Sequence, residues 1–169
     1  AVEKLLKVLP SEALERGSIV GDQEVAGFYR KTSVADKLDF SEGERADVSV
    51  VTNGQVDRDF EVVVQGGVDW QQYKKNPVVV FGHDFKSLPV GRSVWQKRQR
   101  DADPVKDSWL VKTAYTARPE QWVGDWEPDA IWAMTKDGVL RGKSLGYVPK
   151  KVHRPTPDEI KKRPELVDV

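Results

Sequence analysis

Short, valine-rich runs broken by glycine and proline constrain the fold of this chain more than any other feature. Residues 47–52 form one such run, Asn53-Gly54 reads as a turn dipeptide, and residues 60–64 form a second run. Gly66-Gly67 punctuates, residues 68–75 read as a short helix, and residues 77–81 return to strand. Residues 90–97 and 109–115 predict another strand pair, joined by a polar, proline-containing loop. In the second of these Trp109, Val111, Thr113 and Tyr115 alternate at period two. Residues 128–136 carry the strongest helix signal: proline near the start, Asp129 in the first turn, and Gly138 just past the end. Residues 140–148 read as strand, and Thr156 caps a last helix that begins at Pro157 and is ended by Pro164. Upstream, Val2, Leu5, Leu6 and Leu9 fall at helical spacing before Pro10, and residues 24–34 suggest an early strand. Helices interrupt these strands irregularly, without the regular alternation of parallel sheets. The predicted class is α+β, built on an antiparallel sheet or barrel.

At 169 residues, 38% hydrophobic and 32% charged, the chain is expected to form one water-soluble domain. Residues 1–44 are an N-terminal segment without a clear pattern, and residues 45–169 form the expected core. Lys+Arg and Asp+Glu both number 27, so no bulk field favours nucleic acid or an anionic membrane. The absence of cysteine removes disulfides, thiolate nucleophiles and thiolate metal sites together. No apolar run reaches membrane-spanning length, no signal-peptide pattern opens the chain, and the first residue is alanine, as expected of a processed or trimmed chain.

Two residues carry candidate chemistry. His83, one of only two histidines, closes the run Asn76-Pro77-Val78-Val79-Val80-Phe81-Gly82-His83-Asp84, which delivers a titratable ring to a strand end. Ser144 sits in Leu140-Arg141-Gly142-Lys143-Ser144-Leu145-Gly146-Tyr147, the one serine of the chain in an apolar strand with glycine two residues to either side. The ordinary readings are a structural histidine and a tightly packed strand. The functional reading is a base and a nucleophile, which need to meet in space rather than in sequence. The strand context differs from the nucleophile elbow of the α/β-hydrolases. Asp57-Arg58-Asp59 reads as a solvated charged turn, His153 as an exposed histidine, and Trp122, Trp126 and Trp132 as packing residues. No phosphate-binding glycine loop, zinc helix or calcium loop is present, and no cofactor is expected.

Four motifs occur in order between Thr52 and Pro149. They are Val56-Asp57-Arg58-Asp59 with Val62-Val63 and a Gly-Gly; the His83 run; Leu88-Pro89-Val90-Gly91-Arg92; and the run from Lys136 through Ser144 to Pro149. As an ordered set they resemble the prohead protease family of tailed bacteriophages, the serine proteases of capsid maturation. The resemblance implies a fold similar to the herpesvirus assemblin proteases, a small antiparallel β-barrel flanked by helices, with His83 as general base and Ser144 as nucleophile. It implies an oxyanion site of backbone amides near Ser144, with Arg92 or Arg141 as a basic side chain beside it. In such proteases the chain runs on into a further strand carrying an acid. The resemblance thus implies a core cut before its last strand, and weak or absent activity for a chain ending at Val169. The third member is then either missing or supplied by Asp158, Glu159 or His153.

The resemblance further implies an endopeptidase that cleaves scaffold protein or major capsid protein tails, and itself, inside the immature capsid in the host cytoplasm. A homodimer is an expected assembly; nucleic acid and membrane are not expected partners. Two other readings stand beside it: a catalytically silent structural component of the prohead that keeps the protease fold, and a binding module using the tryptophans.

Overall fold

A computed structural model describes residues 29–34 and 39–169, with 29–34 and 39–42 described by backbone alone. The helical spacing of Val2, Leu5, Leu6 and Leu9 lies outside the described residues, as do positions 24–28 of the early strand. The described residues form two compact units. One comprises residues 32–34, 39–55 and 63–144; the other comprises 29–31, 56–62 and 145–169.

Seven strands are present among the described residues: β1 (Tyr29–Val34), β2 (Asp39–Ser41), β3 (Ala46–Asn53), β4 (Val78–Val79), β5 (Gly91–Gln99), β6 (Ser108–Tyr115) and β7 (Gly142–Tyr147). Five of them form one sheet in the order β2-β3-β6-β5-β4, with every neighbouring pair antiparallel. The α+β class with an antiparallel sheet is therefore the architecture, and β2 and β4 are the edges of that sheet. β7 pairs with β1 in a separate two-stranded sheet.

The alternation expected of residues 109–115 is present: Val111, Thr113 and Tyr115 are buried. In β3 the buried face is the polar one. Asp47 and Ser49 are fully buried while Val48 and Val50 are only partly covered. Asp47 lies directly opposite Thr113, and Thr113 opposite Ser93, so one polar row crosses three strands. Register breaks between Val50 and Thr52 and between Ser93 and Trp95 re-aim the ends of β3 and β5.

The helix expected at 128–136 runs over Glu127–Lys136 (α1). Pro128, Ile131, Trp132 and Thr135 recur at i, i+3, i+4 and i+7 and are its buried positions. Its end explains Gly138: the Val139 N–H donates to the Met134 carbonyl (2.9 Å) and the Gly138 N–H to that of Thr135 (3.1 Å). This pairing requires the left-handed backbone that Gly138 adopts (φ 72°) and turns the chain toward β7. Val90, Tyr115, Ile131 and Trp132 make the core, with Val79, Met134 and Leu140 packed against it. The Tyr115 and Trp132 rings lie 5.1 Å apart, and Arg45 ties the first turn of α1 through Asp129 (2.6 Å).

Four expectations need correction. Residues 60–64 are not a strand: β3 pairs with β6 instead, and Phe60 is exposed with φ 59°. Asn53-Gly54 accordingly closes no hairpin with that segment. The Gly54 N–H donates to the Asp107 carbonyl (3.1 Å), and a Cβ there would meet the Pro104 carbonyl at 1.9 Å. Residues 68–75 give only a 3-10 turn at Tyr73–Lys75, and the strand at 77–81 shrinks to the two residues of β4.

In the second unit α2 (Pro157–Lys162) begins at Thr156 as expected, with a capping box: the Thr156 hydroxyl accepts from the Glu159 N–H while the Glu159 carboxylate accepts from the Thr156 N–H. Pro164 ends it and opens a 3-10 turn, Pro164–Asp168.

Candidate active site

His83 reaches its position through β4. Val78 and Val79 pair with Arg92 and Gly91 of β5, and the Ser93 N–H donates to the Pro77 carbonyl (2.8 Å). The chain then leaves the sheet in a tight 3-10 turn, Phe81–His83, in which Gly82 (φ 58°) and His83 (φ 57°) are both left-handed. A left-handed non-glycine residue costs about 1–2 kcal/mol, and histidine tolerates it better than a branched residue. The expectation of His83 as the last residue of a buried strand is thus corrected: it is a half-buried residue of the turn after an edge strand.

Ser144 is the third residue of β7, half-buried. The segment leading to it passes Leu140, and the segment leading to His83 passes Val79; both pack on the same α1–sheet core. Across 61 positions of sequence, His83 Nε2 and the Ser144 hydroxyl are joined by a hydrogen bond. The two were expected on adjacent strands. They instead come from a turn and from a strand of the other sheet.

The chemistry of this contact follows from the donor inventory. For the hydroxyl to donate, Nε2 must be unprotonated, which puts the neutral ring's proton on Nδ1. A serine hydroxyl held by an unprotonated imidazole is a nucleophile with its base already in place.

Beside Ser144, Lys143 turns to the other face of β7. Its Nζ lies 2.5 Å from Asp47 Oδ1 and 2.8 Å from the Thr113 hydroxyl, and 5.3 Å from the centre of the Tyr115 ring. The Asp47 side chain is 0% exposed and that of Lys143 15%. Burial pushes the Lys143 ammonium below its usual range, against the opposing pull of Asp47. Burial, followed by the negative charge of Asp47, pushes the Tyr115 phenol well above its own range. Sequence reasoning missed Lys143 and Asp47 as members of the site. The available signal was a lysine directly before the glycine-flanked Ser144 in a strand, and an aspartate near the start of a valine-rich strand.

The remaining candidates have other partners. Arg141 Nε donates to the Gly138 carbonyl (2.9 Å), and Arg92 is exposed on β5. Glu159 is committed to its capping box and to His153 (3.3 Å), and these hydrogen bonds, Thr156 first, hold its carboxyl down at about 2. Asp158 is exposed in the first turn of the same helix. Asp84, next to His83, accepts from the Ser87 hydroxyl (2.6 Å) and the Lys86 N–H (2.9 Å), which hold its carboxyl below the usual range. Asp57 organises its own turn, accepting from the Asp59 and Glu61 N–H groups. Among the rival serines, Ser49 contacts Asp47, Ser87 contacts Asp84, and Ser93 accepts from Gln96. The tryptophans are dispersed: Trp132 is in the core, Trp70 packs on Trp109, and Trp122 packs on Trp126.

Phe81, Phe85 and Leu88 stand exposed on the loop that carries His83. Among the described residues no cluster of three or more His, Cys, Asp or Glu side chains could hold a metal ion, and no helix is long and apolar enough to cross a membrane. Comparison with protein-family models, with curated proteins and with solved structures returns no match.

Proposed function

We propose that this chain is a serine endopeptidase in which Ser144 is the nucleophile and His83 the general base, and that it is a prohead protease of capsid maturation with an assemblin-like fold. The observation that carries the catalytic reading is the hydrogen bond between His83 Nε2 and the Ser144 hydroxyl. The capsid-maturation reading is carried by the ordered motifs from Thr52 to Pro149.

In the proposed reaction Ser144 Oγ attacks a peptide carbonyl while His83 Nε2 takes the hydroxyl proton. The tetrahedral oxyanion is stabilised by donors aimed at it, collapses, and expels the amine, which receives the proton held on His83. Water, deprotonated by the same nitrogen, then attacks the acyl-serine; the carboxylate leaves and the proton returns to Ser144. The exposed Phe81, Phe85 and Leu88 supply an apolar rim suited to the side chains of an extended polypeptide. The substrate would be scaffold protein or the tails of the major capsid protein, and the protease itself, inside the immature capsid.

The test is cleavage of scaffold protein, with serine labelling as the readout where turnover is weak, by the wild-type chain and by Ser144→Ala. Loss of cleavage with an unchanged fold is expected, with Ser93→Ala and Ser108→Ala as serine controls that retain it. Cleavage surviving in Ser144→Ala would end the reading. A folded wild-type chain without cleavage or serine reactivity favours the catalytically silent prohead component.

A further inference from the structure

We propose that the buried Lys143–Asp47 pair is the positioning device that sets Ser144 against His83, an inference that rests on the dyad reading above and extends it. The argument begins with connectivity. His83 is tied to the five-stranded sheet through β4, whereas Ser144 belongs to β7, whose sheet partner is β1. The backbone ladder of the five-stranded sheet therefore does not fix the register of Ser144 relative to His83. Side chains have to do so.

Lys143 is placed for that role. It immediately precedes Ser144, so the two side chains leave opposite faces of β7, one toward His83 and one into the unit's interior. There the ammonium meets Asp47 Oδ1 at 2.5 Å and the Thr113 hydroxyl at 2.8 Å. Asp47 and Thr113 are direct cross-strand partners on β3 and β6, so Lys143 engages a single register position of the sheet. The centre of the Tyr115 ring, on β6, lies 5.3 Å from the ammonium. Asp47 is in turn approached by the Ser49 hydroxyl at 3.5 Å. A charge held by two strands at one register cannot slide along β7 without leaving Asp47 unpaired in the interior. A displacement of about 1 Å at a reacting group is enough to cost roughly a hundredfold in rate. Lys143 and Asp47 are positioning residues: they act through Ser144.

The test uses the full chain and two readouts. With only two histidines, the ring nitrogens of His83 can be followed by NMR, and Ser144→Ala is expected to move the Nε2 resonance in the wild-type background. The double variant Asp47→Leu/Lys143→Met removes both charges and keeps the apolar bulk. It is expected to fold, to show no His83 response when Ser144→Ala is added, and to react with a fluorophosphonate about a hundredfold more slowly than wild type. A folded double variant whose His83 still responds fully to Ser144→Ala overturns the inference. Should the double variant not fold, Thr113→Val removes one of the two polar bonds to Nζ; a weakened His83 response supports the role and an unchanged one overturns it. If the wild type never reacts with the fluorophosphonate yet the His83 response is lost in the double variant, the positioning role stands and the hydrolase reading falls.

Discussion

Replacing Lys143 alone by methionine removes the counter-charge from a carboxylate that water does not reach. Asp47 is 0% exposed, and besides Lys143 only neutral hydroxyls approach it, those of Ser49, at a long 3.5 Å, and of Tyr115. Stranding one partner of a buried ion pair typically costs 3–5 kcal/mol, because the desolvation already incurred is no longer offset. For a chain of this size each kcal/mol lowers the melting temperature by about 2–4 °C, so Lys143→Met should melt roughly 6–20 °C below wild type. Removing both charges has a different consequence. Asp47→Leu/Lys143→Met replaces the pair with apolar groups, and such exchanges are commonly neutral or stabilising. Urea unfolding of wild type, both single variants and the double variant, followed by tryptophan fluorescence, gives the cycle directly. The reasoning requires the double variant to be more stable than Lys143→Met by at least about 2 kcal/mol. If Lys143→Met costs less than about 1 kcal/mol, or if single and double variants unfold together, Asp47 is hydrated in solution and the buried-pair account is wrong.

Tyr115 should make stability fall with rising pH in the alkaline range. Its folded value is raised, so above the usual tyrosine range near pH 10 the unfolded chain releases a proton that the folded chain keeps, and stability is lost by up to about 1.4 kcal/mol per pH unit. Tyr115→Phe should reduce that slope to the part contributed by Tyr73, whose phenol burial also raises, and parallel wild-type and variant curves in pH-dependent urea unfolding would refute it. Phe81→Ala and Phe85→Ala should raise KM for scaffold-derived peptides severalfold with kcat little changed, since both rings are exposed on the loop that carries His83; a fall in kcat alone would place them in the chemistry instead. Gly138→Ala should cost about 1–2 kcal/mol in thermal unfolding because φ is 72° there; no loss would mean that the helix end can adopt another turn.

How much of this was legible in the sequence depended on the physical signal involved. The period-two pattern of β6, the proline, Asp129 and Gly138 that bound α1, and the Thr156 cap are local signals, and these three elements followed from them. The polar interior was not legible. Hydrophobic alternation predicts that Val48 and Val50 turn inward, but the buried Asp47 finds its partner 96 residues away in Lys143. Residues 60–64 are valine-rich yet pair with nothing in the five-stranded sheet, because β3 is taken by β2 on one side and β6 on the other. The meeting of His83 with Ser144 was expected on chemical grounds, but its route was not. Two successive left-handed residues after a two-residue edge strand leave no trace in apolar periodicity.

The most direct test of the central claim is the site and rate of fluorophosphonate labelling. The account predicts one stoichiometric adduct on the folded chain, located at Ser144 by peptide mapping, formed at least about a hundredfold more slowly in His83→Ala and absent in Ser144→Ala. An adduct at another serine, or labelling of Ser144 at an unchanged rate without His83, would contradict it.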